Sequence, residues 1–196
     1  MYQQGDDDNL IRAYLDGDEN AFNSLVVRHM DNVFSICYRY TGNHDDASDC
    51  AQDIFVKVYN NLHTFRFKSA FSTWLYRIVV NSCKNYVSKS SYRNLNTSLS
   101  LSAHDNDNAY YSDVADSKDG PESVLDKKET HKLIMQAVHS LPGDMKMLII
   151  LRDFENRPYE EITGITGMKM GTIKSRISRA RTRLKEMLKE DLLDEM

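Results

Sequence analysis

Proline is nearly missing from this chain, with three in 196 residues, and there are only eight glycines. So few helix breakers leave long helices uninterrupted. Apolar runs are short as well. None approaches the ~20 consecutive apolar residues that cross a bilayer, so no membrane insertion is expected. The opening residues, MYQQGDDDNL, are acidic and lack the basic-then-apolar pattern of a signal peptide, so a cytoplasmic protein is expected. Cysteine is scarce too. Cys37, Cys50 and Cys83 match no metal-ligand spacing, and three of them cannot all pair. Each stands among apolar residues and reads as a small, reduced core side chain. The six histidines are scattered. With no clustered ligands or nucleophile, an enzyme is disfavoured, and neither cofactor nor metal is expected. Asp45, Asp46 and Asp49 could in principle bind a metal, but acids near a helix start more often just complement its dipole.

What is present is charge, and it is segregated. Hydrophobic residues make up 41% and charged residues 28%, the balance of a globular protein, and the formal net charge is −4. Yet residues 57–93 hold Lys57, Arg66, Lys68, Arg77, Lys84, Lys89 and Arg93 without one Asp or Glu. Residues 162–185 repeat the pattern with Lys169, Lys174, Arg176, Arg179, Arg181, Arg183 and Lys185. The acids gather at 6–8, 45–53 and 105–129. Two acid-free basic blocks suggest two contacts with a polyanion.

Period-3.6 patterning dominates and strand-like alternation is absent, which predicts an all-α protein. Residues 6–40 read as two helices broken near Gly17-Asp18. A third runs from Asp45 to about Leu62 and a fourth from Phe71 to about Lys89. A Ser-, Asn- and Asp-rich stretch follows, which reads as a flexible linker. Helix resumes at Pro121, with Ile134, Ala137, Val138 and Leu141 on its buried side. Pro142 opens the next helix, with Met147, Leu148, Ile150 and Leu151 as core candidates. Two short helices begin at Tyr159 and near Met170. The expected organisation is a helical module at 1–90, an acidic linker at 91–120 and a second helical module at 121–196.

YEEITGITGMKMGTIKSRISRA has the grammar of a helix-turn-helix. Ile162 and Ile165 share one side of a short helix, and Gly167 permits the tight turn. Ile173, Ile177, Ala180, Leu184 and Leu188 then form a single apolar stripe. Lys174, Arg181 and Lys185 flank it on one side, and Arg176, Arg179 and Arg183 on the other. Ser175, Ser178 and Thr182 stand opposite. Small polar residues let a backbone approach a groove floor while long cations reach both phosphate walls. The first turn, Lys169 to Arg176, is where base-edge contacts are expected. A membrane-binding helix would need a broader apolar face.

In the first module, Ala47, Ala51, Ile54, Phe55, Val58 and Leu62 form a buried face. Asp49, Gln52, Val56 and Tyr59 share the opposite side, where exposed Val and Tyr beside an acid suggest a protein partner. Downstream, TFRFKSAFSTWLYRIVVNSCKNYVSK interleaves aromatics with cations, the parts needed to hold single-stranded DNA. Thr73, Asn81 and Asn85 supply hydrogen bonds for an extruded base. Trp74, Leu75, Ile78 and Ser82 follow core spacing, so Trp74 reads as a packing anchor. The loop from His63 to Ser72 is the better candidate for touching bases.

In order along the chain stand Asp49-x-x-Gln52-x-x-Phe55, Trp74-Leu75-x-x-Ile78-x-x-Asn81, Leu141-Pro142 and Gly171-Thr172-Ile173-Lys174-Ser175-Arg176. Together they resemble a bacterial sigma factor of the extracytoplasmic-function (ECF) group, across both modules. The resemblance implies a non-enzymatic subunit that directs core RNA polymerase to promoters. Asp49, Gln52, Asp53, Val56 and Tyr59 would dock on the clamp of the largest subunit, and the second module would meet the flap of the next largest. Phe65, Lys68, Thr73, Trp74, Arg77, Asn81, Lys84 and Asn85 would recognise and melt the −10 element. Arg152, Lys169, Thr172, Lys174, Ser175, Arg176 and Arg179 would read the −35 element. The acidic linker would thread through polymerase channels and mimic nucleic acid, and an anti-sigma factor is expected. Thr163, Met145, Lys169 and the Asn156-Arg157-Pro158 turn depart from the family pattern, so no promoter sequence is carried over. The rival reading is a stand-alone helix-turn-helix regulator. It accounts for 158–185 but not for the Asp49 stripe or the aromatic-basic segment.

Overall fold

The computed structural model describes residues 4–96 and 121–194, with side chains for 6–88 and 129–189. Residues 97–120, most of the expected acidic linker, lie outside the described residues, while 91–96 continue α4. Eight α-helices follow in order: α1 (Gln4–Leu15), α2 (Glu19–Thr41), α3 (His44–Asn61), α4 (Phe71–Asn96), α5 (Pro121–His139), α6 (Gly143–Ile149), α7 (Tyr159–Thr166) and α8 (Met170–Asp194). Among the described residues there is no strand.

Local chemistry sets the breaks. The Asp18 carboxylate accepts from the Asn20 amide at 3.0 Å and starts α2. Asn43 caps α3 in the same way, its side-chain oxygen accepting from the Asp46 amide at 2.8 Å. Pro121 is the first residue of α5, as expected for a ring that has no N–H to lose there. α6 widens into a π-helical turn at Ile150–Phe154, where the Glu155 amide donates to the Ile150 carbonyl at 2.9 Å. Two helices outrun the sequence expectation. α4 continues to Asn96, and α8 is a 25-residue helix because its apolar stripe continues through Leu184.

The first module packs α1 to α4 around Ile11, Val33, Ile36, Ile54, Leu75 and Val79, all fully buried. The second packs α5 to α8 around Met147, Leu148, Ile150, Leu151, Ile162 and Ile173. The two modules were read from the sequence as separate bodies on a tether. In the structure they pack together, α4 against α7 and α2 against α5 and α6. Their cores run into one continuous cluster. At Gly143 the approach leaves no room for a side chain, since a Cβ there would lie 2.8 Å from the Tyr40 hydroxyl.

α1 is pinned by a buried charge. Asp7, only 4% exposed, accepts from Arg28 Nη1 at 3.0 Å and from His29 Nε2 at 3.1 Å. The His29 ring stands edge-on to Phe71 at 5.2 Å, so the contact reaches the start of α4. Burial alone would raise the Asp7 carboxyl. The hydrogen bonds and charges of His29 and Arg28 outweigh it and hold the group below the usual carboxylate range. A lowered folded-state pKa adds stability above the unfolded range, near 4, and that stability is lost as pH falls through the folded value. Asp7→Asn is expected to cost about 1.5–3 kcal/mol at pH 7 and to flatten the acid limb of stability. Urea unfolding between pH 3 and pH 7 on both proteins measures it.

Candidate nucleic-acid and partner interface

α3 presents the first surface. Its inward residues Ala47, Cys50, Ala51, Ile54 and Val58 are buried. That leaves Asp49, Gln52, Asp53, Val56 and Tyr59 exposed along the outer side. Val56 and Tyr59 are 55% and 50% exposed, unusual for large apolar side chains. Tyr59 is not loose. Its ring meets Phe22 edge-on at 5.2 Å and Tyr14 at 6.0 Å. The stripe is a fixed, partly apolar face with acids beside it.

The aromatic-basic segment divides in two. Phe65 was expected to offer its ring to a base, but it is 5% exposed. It packs against Phe67, Phe71 and Trp74, with ring centroids 4.9, 5.8 and 5.7 Å away. Its apolar ring completes the core beneath the loop, so it supports the loop rather than offering itself to a base. Phe67 takes φ +55°, a left-handed conformation costly for a bulky residue. The Arg12 guanidinium lies 4.3 Å over its ring and the Phe65 ring supports it. Trp74 is half-buried, in keeping with an anchor. Lys68, Asn81 and Asn85 are exposed.

Thr73, Arg77 and Lys84 face the second module instead. Arg77 donates to the Gly164 carbonyl at 2.7 Å, and a Cβ on Gly164 would touch the Thr73 methyl at 3.4 Å. Lys84 pairs with Asp144 at 2.8 Å.

The helix-turn-helix forms as its residues dictate. Gly167 takes φ +70° and its amide donates to the Thr163 carbonyl at 2.9 Å, closing α7. Ile162, Ile165, Ile173, Ile177 and Ala180 are buried beneath. Lys169, Lys174, Ser175 and Arg179 point outward, and Thr172 is half-buried. Lys174, Ser178, Arg181 and Lys185 line a shallow groove beside Tyr159. Lys174 Nζ lies 5.6 Å from the Tyr159 ring centroid, and the Arg152 guanidinium 4.8 Å. Arg152 also donates to the Arg157 carbonyl at 2.8 Å, so it braces the turn before α7. Arg176 is engaged, pairing with Asp144 at 2.7 Å.

Asp144 thus joins Lys84 of α4 to Arg176 of α8. The Lys84 hydrogen bond leads in holding its carboxyl below the usual range, with Arg176 adding to it. A second knot, partly buried, surrounds the buried Tyr76. Glu155 receives Arg39 Nη1 at 3.4 Å and the Tyr76 hydroxyl at 3.4 Å. Arg157 donates to Tyr76 Oη at 2.7 Å, lies 4.5 Å over its ring, and pairs with Glu161 at 3.1 Å. Burial pushes the Tyr76 hydroxyl up to about 12 and raises Glu155 despite the two arginines.

Sequence reasoning missed Tyr76, Asp144, Glu155 and Arg157 as the fastening between modules. One signal was present: Asn156-Arg157-Pro158 departs from a glycine-containing turn. Asn156 takes φ +53°, the left-handed state glycine would supply and asparagine tolerates. Arg157 then reaches Tyr76.

Comparison with known proteins places this geometry. Residues 25–92 match the model of Sigma-70 region 2, and residues 131–184 match Sigma-70, region 4. The chain is 37% identical to the ECF RNA polymerase sigma-E factor of Haemophilus influenzae over 181 residues, 92% of this chain and 94% of that protein. It is 38% identical to the protein of the same name from Escherichia coli K12, over 92% and 93%. Among solved structures it is similar to the sigma factor RpoE of Bartonella quintana, crystallised with the anti-sigma factor NepR. The TM-score is 0.66 at 25% identity, over 86% of this chain and 96% of that one. The fold is also that of CnrH in complex with the cytosolic domain of CnrY, with a TM-score of 0.66 at 20% identity over 95% and 99%.

Exposed ion pairs contribute at most about 1 kcal/mol, which bounds what Asp144 adds to closure. Asp144→Asn should therefore raise the affinity of the free chain for a short DNA duplex by up to about fivefold. It should also widen the molecule in small-angle scattering. Fluorescence anisotropy at fixed salt, beside the scattering, reads both.

Proposed function

The chain belongs to the extracytoplasmic-function sigma factors, and on that premise we propose how its residues divide the work. It binds core RNA polymerase and directs promoter-specific initiation. It is not an enzyme. The observation that favours a polymerase subunit over a stand-alone regulator is the exposed stripe on α3. A regulator that only reads DNA has no use for Val56 and Tyr59 held in water beside Asp49, Gln52 and Asp53. Burying that pair against the clamp of the largest subunit removes the exposure.

The module at 1–90 docks on polymerase and opens the −10 element; 91–120 is the linker; 121–196 reads the −35 element and meets the flap of the second subunit. In the first module, Lys68, Asn81 and Asn85 contact the −10 strand, with Thr73, Arg77 and Lys84 joining once the modules part. Phe65 and Trp74 hold the loop that presents them. In the second, Lys169, Thr172, Lys174, Ser175, Arg176 and Arg179 line the −35 groove, and Arg152 reaches phosphate from the turn. The protein works in the bacterial cytoplasm, beside polymerase and promoter.

The packed arrangement is the form of the free chain. Arg77, Lys84 and Arg176 are occupied between the modules, so promoter binding requires the modules to separate. Polymerase drives the separation by binding each module at its own site. An anti-sigma factor, like the NepR bound to RpoE in the Bartonella complex, holds the chain out of that cycle.

Val56→Glu combined with Tyr59→Ala should weaken binding to core polymerase by at least about 30-fold, the scale of a 2 kcal/mol anchor loss. Helix content should be unchanged by circular dichroism. Lys174→Ala should lower transcription from a −35-dependent promoter while polymerase binding survives. A double variant that binds core polymerase as tightly as the parent rejects the docking assignment.

A further inference from the structure

Three cysteines far apart in sequence meet inside the first module. Cys37 comes from α2, Cys50 from α3 and Cys83 from α4, and all are reduced and essentially inaccessible. The Cys83 sulfur lies 3.9 Å from that of Cys37 and 3.9 Å from that of Cys50, and the three fall within 4.8 Å of one another. Chance packing of core thiols does not require such a triangle. A metal ion at the centre of three thiolates does. With metal–sulfur bonds of ~2.3 Å, a trigonal site sets its sulfurs ~4.0 Å apart.

We propose that Cys37, Cys50 and Cys83 form a buried trigonal thiolate site for a soft monovalent d10 cation, Cu(I). The donor set selects the ion. Three sulfurs and no oxygen favour Cu(I), zinc or iron–sulfur chemistry among biological metals. A closed zinc site takes four ligands. Among the described residues no fourth His, Cys, Asp or Glu joins the group. Three ligands complete a trigonal Cu(I) site.

The balance is simple. Cu(I), delivered from a low-molecular-weight thiol complex, forms three Cu–S bonds. The three thiols release their protons to water, and copper stays in the +1 state. The complex carries two negative charges. Lys57 offsets part of that charge, its Nζ donating to Ser82 Oγ at 2.9 Å, next in the chain to Cys83. Bound copper ties together three helices, including the docking helix α3 and the promoter helix α4.

The full-length chain, reduced and kept free of oxygen, is titrated with Cu(I) against bathocuproine disulfonate. The expected result is one copper retained per chain, with near-ultraviolet thiolate-to-copper absorption. X-ray absorption should show three sulfurs at ~2.2–2.3 Å. The thermal midpoint should rise by about 5–10 °C when free copper exceeds its dissociation constant ~100-fold. Cys83→Ala and Cys50→Ala should each weaken retention at least 100-fold, with circular dichroism reporting that they fold. The proposal is overturned if the parent chain gives up all its copper to the chelator. It also fails if the variants retain copper like the parent, if zinc is held more tightly than Cu(I), or if copper only oxidises a pair of the cysteines to a disulfide. The titration of the unaltered chain decides even if a variant does not fold.

Discussion

Tyr76 sits where the two halves of this molecule meet, fully buried, with its hydroxyl tied to Glu155 and Arg157. A buried carboxylate is tolerable only with cations and hydrogen bonds around it. Glu155 finds them in Arg39 of α2 and Tyr76 of α4, both in the other module. That requirement adds to the apolar packing that joins the modules. α4 is consequently covered on two sides. Leu75, Val79 and Cys83 are buried in the first module, while Thr73, Arg77 and Lys84 lie against the second. The rest of the arrangement follows from the position of this helix.

The same packing gives the basic residues two employments. Arg77, Lys84 and Arg176 belong to the acid-free blocks that read as polyanion contacts, yet in the free chain they satisfy a carbonyl and a carboxylate across the interface. DNA affinity outside a polymerase complex is mainly electrostatic. A chain with net charge −4 that also engages these cations internally presents a weak field to stray DNA. Selectivity for promoters then resides in the assembled machine. By contrast, the α3 stripe stays exposed while the modules are packed together.

Helices were legible because their signals are local. Asp18, Asn43, Pro121 and Gly167 act on neighbours within four residues, and the breaks fall where they stand. The apolar stripes were equally legible. Ile173, Ile177 and Ala180 are buried, and the α3 stripe is exposed, as the 3.6-residue period requires. The burial of Phe65 was not legible because periodicity fails in a loop, where burial depends on which rings close over it. α4 outran its expected end near Lys89 because the stretch up to Asn96 is rich in Ser and Asn and carries no apolar period, although the helix continues through it.

The sequence by itself determined the helices, their apolar faces, the tight turn at Gly167 and the segregation of charge. Each depends on residues within a few turns of one another. Tertiary structure alone decided that Arg39 would meet Glu155, that Asp144 would join Lys84 to Arg176, and that three cysteines would converge. Periodicity reports that a face must be covered. Which distant element covers it is set by the packing of whole helices, and no local pattern encodes that choice.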